Sequence, residues 1–212
     1  MSKPIKLKIE LKDMSHKIVR KVLVPDDITM YQLHLIIQDA MGWEHAHLFE
    51  FSDAKWKSTI RAGIPDDFDD DFDVFSAPKQ DVFKTSLKKV FLEKTNAKPF
   101  WYWYDFGDDW WHRITFLKVS QKDLKTFEGA PICIEAIGKC PPEDCGGVWG
   151  YEEFLETIKD KSHPDHDEMK EWYGMDPEDE YDETTANFDK ISFMLKDMYK
   201  SKQWKAKKPG FF

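Results

Sequence analysis

Residues 5–12 alternate apolar and charged side chains, with Ile5, Leu7, Ile9 and Leu11 set against Lys6, Lys8, Glu10 and Lys12. A period of two marks a strand with one buried face. After a turn at 13–16, residues 17–24 are rich in β-branched side chains and predict a partner strand, broken by Pro25-Asp26-Asp27. The period then lengthens to that of a helix. Leu33, Ile36, Ile37 and Ala40 fall at i, i+3, i+4 and i+7, with Asp27 or Thr29 placed to cap the start and Gly42 to end it. Strands are expected at 47–52 and 56–62, a short helix at 86–93, and aromatic strands at 100–105 and 111–119 around the turn Phe106-Gly107-Asp108-Asp109. Beyond Gly146 the chain reads as acidic helices at 150–159, 163–173 and 184–198, the last with Phe188, Ile191, Leu195 and Met198 on one stripe.

Strands first and helices later, with no internal repeat, predict an α+β fold. The expected architecture is a mixed, largely antiparallel sheet packed with helices, the C-terminal part being helical. A length of 212 residues suits one core, giving a single domain over 1–199 and a frayed, lysine-rich tail over 200–212.

Composition narrows the function classes. Hydrophobic residues at 41% and charged residues at 33% describe a globular chain. Aromatics at 15%, with nine tryptophans and sixteen phenylalanines, predict a core built on large rings. A net charge of -9 and only three arginines, Arg20, Arg61 and Arg113, weigh against phosphate-neutralising, sequence-reading contacts with nucleic acid. No run approaches the ~20 apolar residues of a membrane helix, and the charged alternation at 5–12 is not a signal-peptide pattern. Three closely spaced cysteines, Cys133, Cys140 and Cys145, do not make a disulfide framework, so a reducing, cytoplasmic setting is expected.

Three stretches carry candidate chemistry. Tyr102-Trp103-Tyr104-Asp105-Phe106-Gly107-Asp108-Asp109-Trp110-Trp111-His112 leads alternating aromatics into an acidic turn. Asp105, Asp108 and His112 would converge at one strand end, where a carboxylate fixes an imidazole for metal ligation or proton transfer. The competing reading is a hairpin whose aspartates cap turn amides, with His112 in the core. Cys140-Pro141-Pro142-Glu143-Asp144-Cys145-Gly146-Gly147 presents Glu143 and Asp144 on a stiff connector, and Cys133, Cys140 and Cys145, with His112, His163 or His166 as a fourth ligand, offer a zinc alternative to buried free thiols. His45 and His47 would share a strand face, which suits a shared metal or two surface imidazoles. Residues 66–73 hold six aspartates without the glycine and terminal glutamate of an EF-hand loop, and read as a solvated acidic loop.

Together the phrases "VPDDITMYQLHLIIQDAMGWEHAHLFEF", "YDFGDDWWHRI" and "CPPEDCGGVWGYEEFLE" resemble the plasmid pRi ORF-three-like family over nearly the whole chain. The resemblance implies an α+β fold of mixed sheet and helices. Its characteristic positions fall on His47, Glu50, Tyr104, Asp105, Asp108, Trp110, His112, Cys140, Glu143, Asp144, Gly146, Gly147 and Tyr151. Where the family often reads His-Leu-His-Glu-Phe, this chain has Phe49 in place of the second histidine.

The reading preferred from sequence is a non-catalytic binding or interaction module for a protein, peptide or small ligand, with His47, Glu50, Tyr104, Trp110 and Tyr151 as binding residues. The alternative is a metal-dependent, hydrolase-like enzyme. It would use Asp105, Asp108, His112, Glu143 and Asp144, with a divalent metal on His47 or His112, or zinc on Cys140 and Cys145. A nucleic-acid-associated protein of mobile elements is a second alternative. A common point among His47, Asp108, His112, Glu143 and Asp144, beside a pocket, would favour the enzyme.

Overall fold

A computed structural model describes residues 2–65 and 77–206. The acidic run at 66–73 and the tail beyond 206 lie outside the described residues. Among the described residues the strands are β1 Pro4–Leu11, β2 Ile18–Pro25, β3 Phe49–Ser52, β4 Arg61–Gly63, β5 Lys79–Asp81, β6 Phe100–Tyr104, β7 Trp110–Leu117 and β8 Ile132–Ile137. They form one sheet in the order β5-β4-β3-β6-β7-β1-β2-β8. Every neighbouring pair is antiparallel except β4 with β5. The helices are α1 Met30–Met41, α2 Gln121–Thr126, α3 Gly147–Lys159, α4 His166–Tyr173 and α5 Phe188–Lys200. This is the α+β architecture expected from the order of patterns.

The alternation of β1 sets the inner face. Ile5, Leu7, Ile9 and Leu11 are buried, and Leu33, Ile36 and Ile37 of α1 join them in one core. Each such fully buried aliphatic side chain contributes about 1.5–3 kcal/mol. Register carries the inner face across the sheet: Phe51, Tyr102, His112, Leu11 and Ile18 are successive cross-strand partners. Thr29 caps α1 through a reciprocal bond with Gln32, and Gly42 ends it with φ 93, a left-handed conformation that glycine adopts without strain.

Several elements differ from the sequence reading, each for a local reason. α1 is buried on every side except at Gln32 rather than along one stripe, because α5 packs on the face turned away from the sheet. The strand expected from residue 56 begins only at Arg61: Asp53 Oδ1 accepts bonds from the amides of Thr59, 2.8 Å, and Ile60, 3.0 Å, folding 53–60 into a loop. Trp56 on that loop is 80% exposed. The helix expected at 86–93 is one π-helical turn, Lys88–Glu93. Phe188 stands exposed at the start of α5, outside the stripe formed by Ile191, Leu195 and Met198. The tail, expected to fray from residue 200, is docked as far as Ala206. Trp204 packs against the core, with its carbonyl accepting from Gln32 Nε2 at 2.9 Å. No helix among the described residues is long and apolar enough to cross a membrane.

Candidate functional site

The chain brings four of the candidate residues together, from three separate segments. His47 lies just before β3, Asp105 just after β6, and Glu143 and Asp144 on the connector between β8 and α3. The Nε2 of His47 is 3.6 Å from Asp105 Oδ2, 3.3 Å from Glu143 Oε2 and 3.2 Å from Asp144 Oδ1. One ligand atom each from His47, Asp105 and Asp144 lies within 4.8 Å of the other two.

Local structure explains the placement. β3 and β6 pair at Phe49 and Tyr104, so the residues just beyond these strand ends are neighbours, held by the Asp105 amide on the Leu48 carbonyl at 2.9 Å. Asp105 adopts φ 52, and its Oδ1 accepts from the amides of Gly107, 2.9 Å, and Asp108, 3.3 Å, leaving Oδ2 toward His47. Left-handed backbone at a non-glycine residue is a strained choice, and Asp144 makes it too at φ 56. Glu143 is fixed from two sides: its Oε1 accepts from the Tyr104 hydroxyl at 2.9 Å and from the Glu44 amide at 2.7 Å. Burial and the adjacent Glu143 carboxylate raise the Tyr104 pKa, keeping that hydroxyl a donor. Trp43 Nε1 donates to the Pro141 carbonyl at 3.0 Å and clamps the connector.

The remaining candidates lie elsewhere. His112 shares the parity of Trp110 and Ile114 along β7, which points it into the core rather than at the strand end. It is 0% exposed, lies edge-on to Trp43 at 5.2 Å, makes no well-formed hydrogen bond through either ring nitrogen although the backbone of Tyr102 and Trp110 lies beside it, and has no carboxylate within ion-pair distance among the described residues. Asp108 points away from the cluster into a second groove, with Oδ2 buried and without a partner. Glu50 faces outward and pairs with Arg61 at 2.7 Å. Trp110 and Tyr151 are core residues, the Tyr151 hydroxyl meeting that of Tyr181 at 3.1 Å. Phe49 is buried, stacked on His34 at 3.7 Å, and the cluster assembles without it. The three cysteines are free thiols, and among the described residues they do not gather with a histidine as zinc ligands. Burial pushes the Cys145 thiol up to about 12 and raises Cys140 further, so both stay protonated.

Glu143 and Asp144 also line a cleft of about 720 Å³, with Arg20, Glu44, Lys139 and Lys190 among its walls. The cluster therefore sits at the margin of a cavity of ligand size. The sequence reading overlooked Arg20. The available signal was parity, since Arg20 shares a strand face with Ile18, Val22 and Val24.

Burial of His112 has a consequence for stability. Desolvation holds its pKa at about 3, with backbone groups of Tyr102 and Trp110 offsetting this only in part; burial lowers His34 as well. The unfolded chain takes up these protons near pH 6.5, so the stabilisation from His112 is complete above pH 6.5 and is lost as pH falls toward 3, at about 1.4 kcal/mol per pH unit, with His34 acting in the same direction. Urea unfolding at pH 7 and pH 5 should show this fall. His112→Leu should flatten the slope, and an unchanged slope would refute the assignment.

Comparison with known proteins places these residues in context. The profile of one family, described as plasmid pRiA4b ORF-3-like protein, matches residues 3–190. It is the family whose resemblance the three motifs carry. The uncharacterized protein y4hQ of Sinorhizobium fredii (strain NBRC 101917 / NGR234) is 36% identical over 194 residues, 92% of this chain and 91% of that protein. The crystal structure of the protein of unknown function MM3350 from Methanosarcina mazei Go1 superposes with a TM-score of 0.72 at 31% identity, covering 91% of this chain and 99% of that one.

Proposed function

The chain belongs to the plasmid pRiA4b ORF-3-like protein family, and from the geometry of its site we propose that it is a metal-dependent, hydrolase-like enzyme. The observation that carries the reading is the convergence of three carboxylates on one imidazole nitrogen at 3.2–3.6 Å. Among the described residues, no lysine or arginine forms an ion pair with Asp105, Glu143 or Asp144. Asp105 and Asp144 offer ligand oxygens within 4.8 Å of one another, where like charges repel and a cation offsets them. Ligand atoms 2.0–2.2 Å from one ion are separated by about 3.0 Å at right angles and about 3.4 Å in a tetrahedron, which is the spacing found around His47 Nε2. Mixed imidazole and carboxylate donors suit a first-row divalent ion.

His47, Asp105 and Asp144 would hold the ion and leave positions open for water, which the ion would acidify. Glu143, its Oε1 fixed by Tyr104 and the Glu44 amide and its Oε2 3.3 Å from His47 Nε2, would act as a general base. The reading is tested with a panel of chromogenic carboxylic and phosphoric esters. Hydrolysis should vanish in EDTA and return with Mn²⁺ or Zn²⁺, and Glu143→Gln should lower it by about 100-fold. Turnover that is indifferent to EDTA, or absent with every ion, would refute it.

A non-catalytic binding module is supported by a different observation. Trp56 and Trp149, 80% and 87% exposed, flank a groove of about 740 Å³ on the far side of the 105–109 turn. Exposed rings of this kind suit a protein or peptide partner. Absence of hydrolysis together with loss of a partner in Trp149→Ala would favour that reading.

A further inference from the structure

We infer that the cleft beside the cluster binds a phosphoryl group on Arg20, which makes the substrate a phosphate ester. As a statement about substrate this rests on the hydrolase reading above; as a statement about an anion site it stands on the cleft alone.

Arg20 occupies an inward position of β2, cross-strand from Ile9, and is 1% exposed. Its Nε donates to the Ala40 carbonyl at 2.7 Å, and Nη1 donates to the carbonyls of Val19 at 3.0 Å and Ile137 at 2.8 Å. Those bonds use three of five N–H donors. Nη2 carries the other two and has no partner among the described residues, and Arg20 lines the cleft. The guanidinium is a buried cation without a carboxylate partner among the described residues, and its neighbours Cys133 and Cys140 are held neutral by burial. An unpaired buried charge is costly unless something present in function pairs with it, and a charged residue on an apolar strand face is the kind of local conflict that function explains.

The same cleft adds Lys139 and Lys190. Lys139 makes no ion pair among the described residues; its Nζ lies 4.2 Å over the Tyr181 ring. Glu44, Glu143 and Asp144 line the cleft as well, so a cationic group and the acidic cluster share one space. A planar donor pair and two ammonium groups exceed what a single carboxylate requires, and match the several charged oxygens of a phosphate monoester. Arg20 and the lysines would hold the phosphoryl oxygens, and an ion on His47, Asp105 and Asp144 would supply further positive charge. Water adds to phosphorus, the ester P–O bond breaks with its electron pair on the leaving oxygen, and that oxygen takes the proton released by the water. The products are inorganic phosphate and an alcohol.

Titration of the full chain with inorganic phosphate in EDTA tests the anion site apart from the metal. Saturable binding is expected, with acetate at least tenfold weaker. Arg20→Lys keeps the charge but loses the free donor pair, and should raise the phosphate Kd at least tenfold with an unchanged circular dichroism spectrum. Lys190→Glu, an exposed position, should raise it at least threefold and decides the matter if Arg20→Lys fails to fold. No phosphate binding by the unmodified chain, equal acetate binding, or indifference to the folded variants would overturn the inference. Divalent-ion titration of the same protein without phosphate reports separately on the His47 cluster.

Discussion

Replacing Gly147 with alanine is expected to destabilise the protein by roughly 2–5 kcal/mol, the sum of left-handed backbone strain and overpacking. Gly147 has φ +69, and a Cβ built there would stand 2.5 Å from the Asp108 carbonyl oxygen. The nearest obstructing atoms are all Asp108 backbone, so no side chain can swing aside. The contact is also the joint of the site. It presses the start of α3, and with it the connector carrying Glu143 and Asp144, onto the turn that carries Asp105. Gly174→Ala is the control, since its φ is +74 but nothing lies within 4 Å of the added carbon. Urea unfolding should show a clear drop in midpoint for Gly147→Ala and a drop of only about 1–2 kcal/mol for the control. Equal losses would mean that the hairpin and connector are not in rigid contact.

Asp105→Asn is expected to separate function from stability. Asparagine tolerates the left-handed conformation and keeps an oxygen to accept from Gly107 and Asp108, so the turn survives. It removes one of three mutually repelling charges, and the metal-free variant should melt at or above the temperature of the unmodified chain. It also removes an anionic ligand. Metal-dependent hydrolysis should fall by at least about 100-fold, equivalent to about 2.7 kcal/mol of transition-state stabilisation. The melting shift produced by added Mn²⁺ or Zn²⁺ should shrink with it. A variant melting well below the unmodified chain in EDTA would show instead that Asp105 serves the turn through its charge.

Local patterns spoke clearly where one residue sets one conformation. The alternation of β1 and the stop at Gly42 stand in the structure as read, and of the two caps offered for α1 Thr29 is the one used. β8 was missed because Ile132–Ile137 becomes a strand by pairing with β2, a partner far away in sequence. The site divides in the same way. Asp105, Glu143 and Asp144 were legible because stiff turns announce presented acids. His112 lies in the core, as the competing hairpin reading has it, because strand parity turns it inward beside Ile114, while Asp105 accepts from the turn amides. His47 was read as a strand residue sharing a face with His45. It sits two residues before β3, while His45 pairs with Asp39 at 3.1 Å.

The most direct test is calorimetric titration of metal-free protein with Mn²⁺ or Zn²⁺, the unmodified chain beside His47→Ala. The His47 side chain is 28% exposed, so truncation should leave the metal-free melting temperature nearly unchanged. The geometry predicts one ion per chain, bound at least about 100-fold more weakly once the imidazole is removed. An unmodified chain that takes up no ion, or a variant that binds it equally well, would contradict the assignment of His47, Asp105 and Asp144 as a metal site.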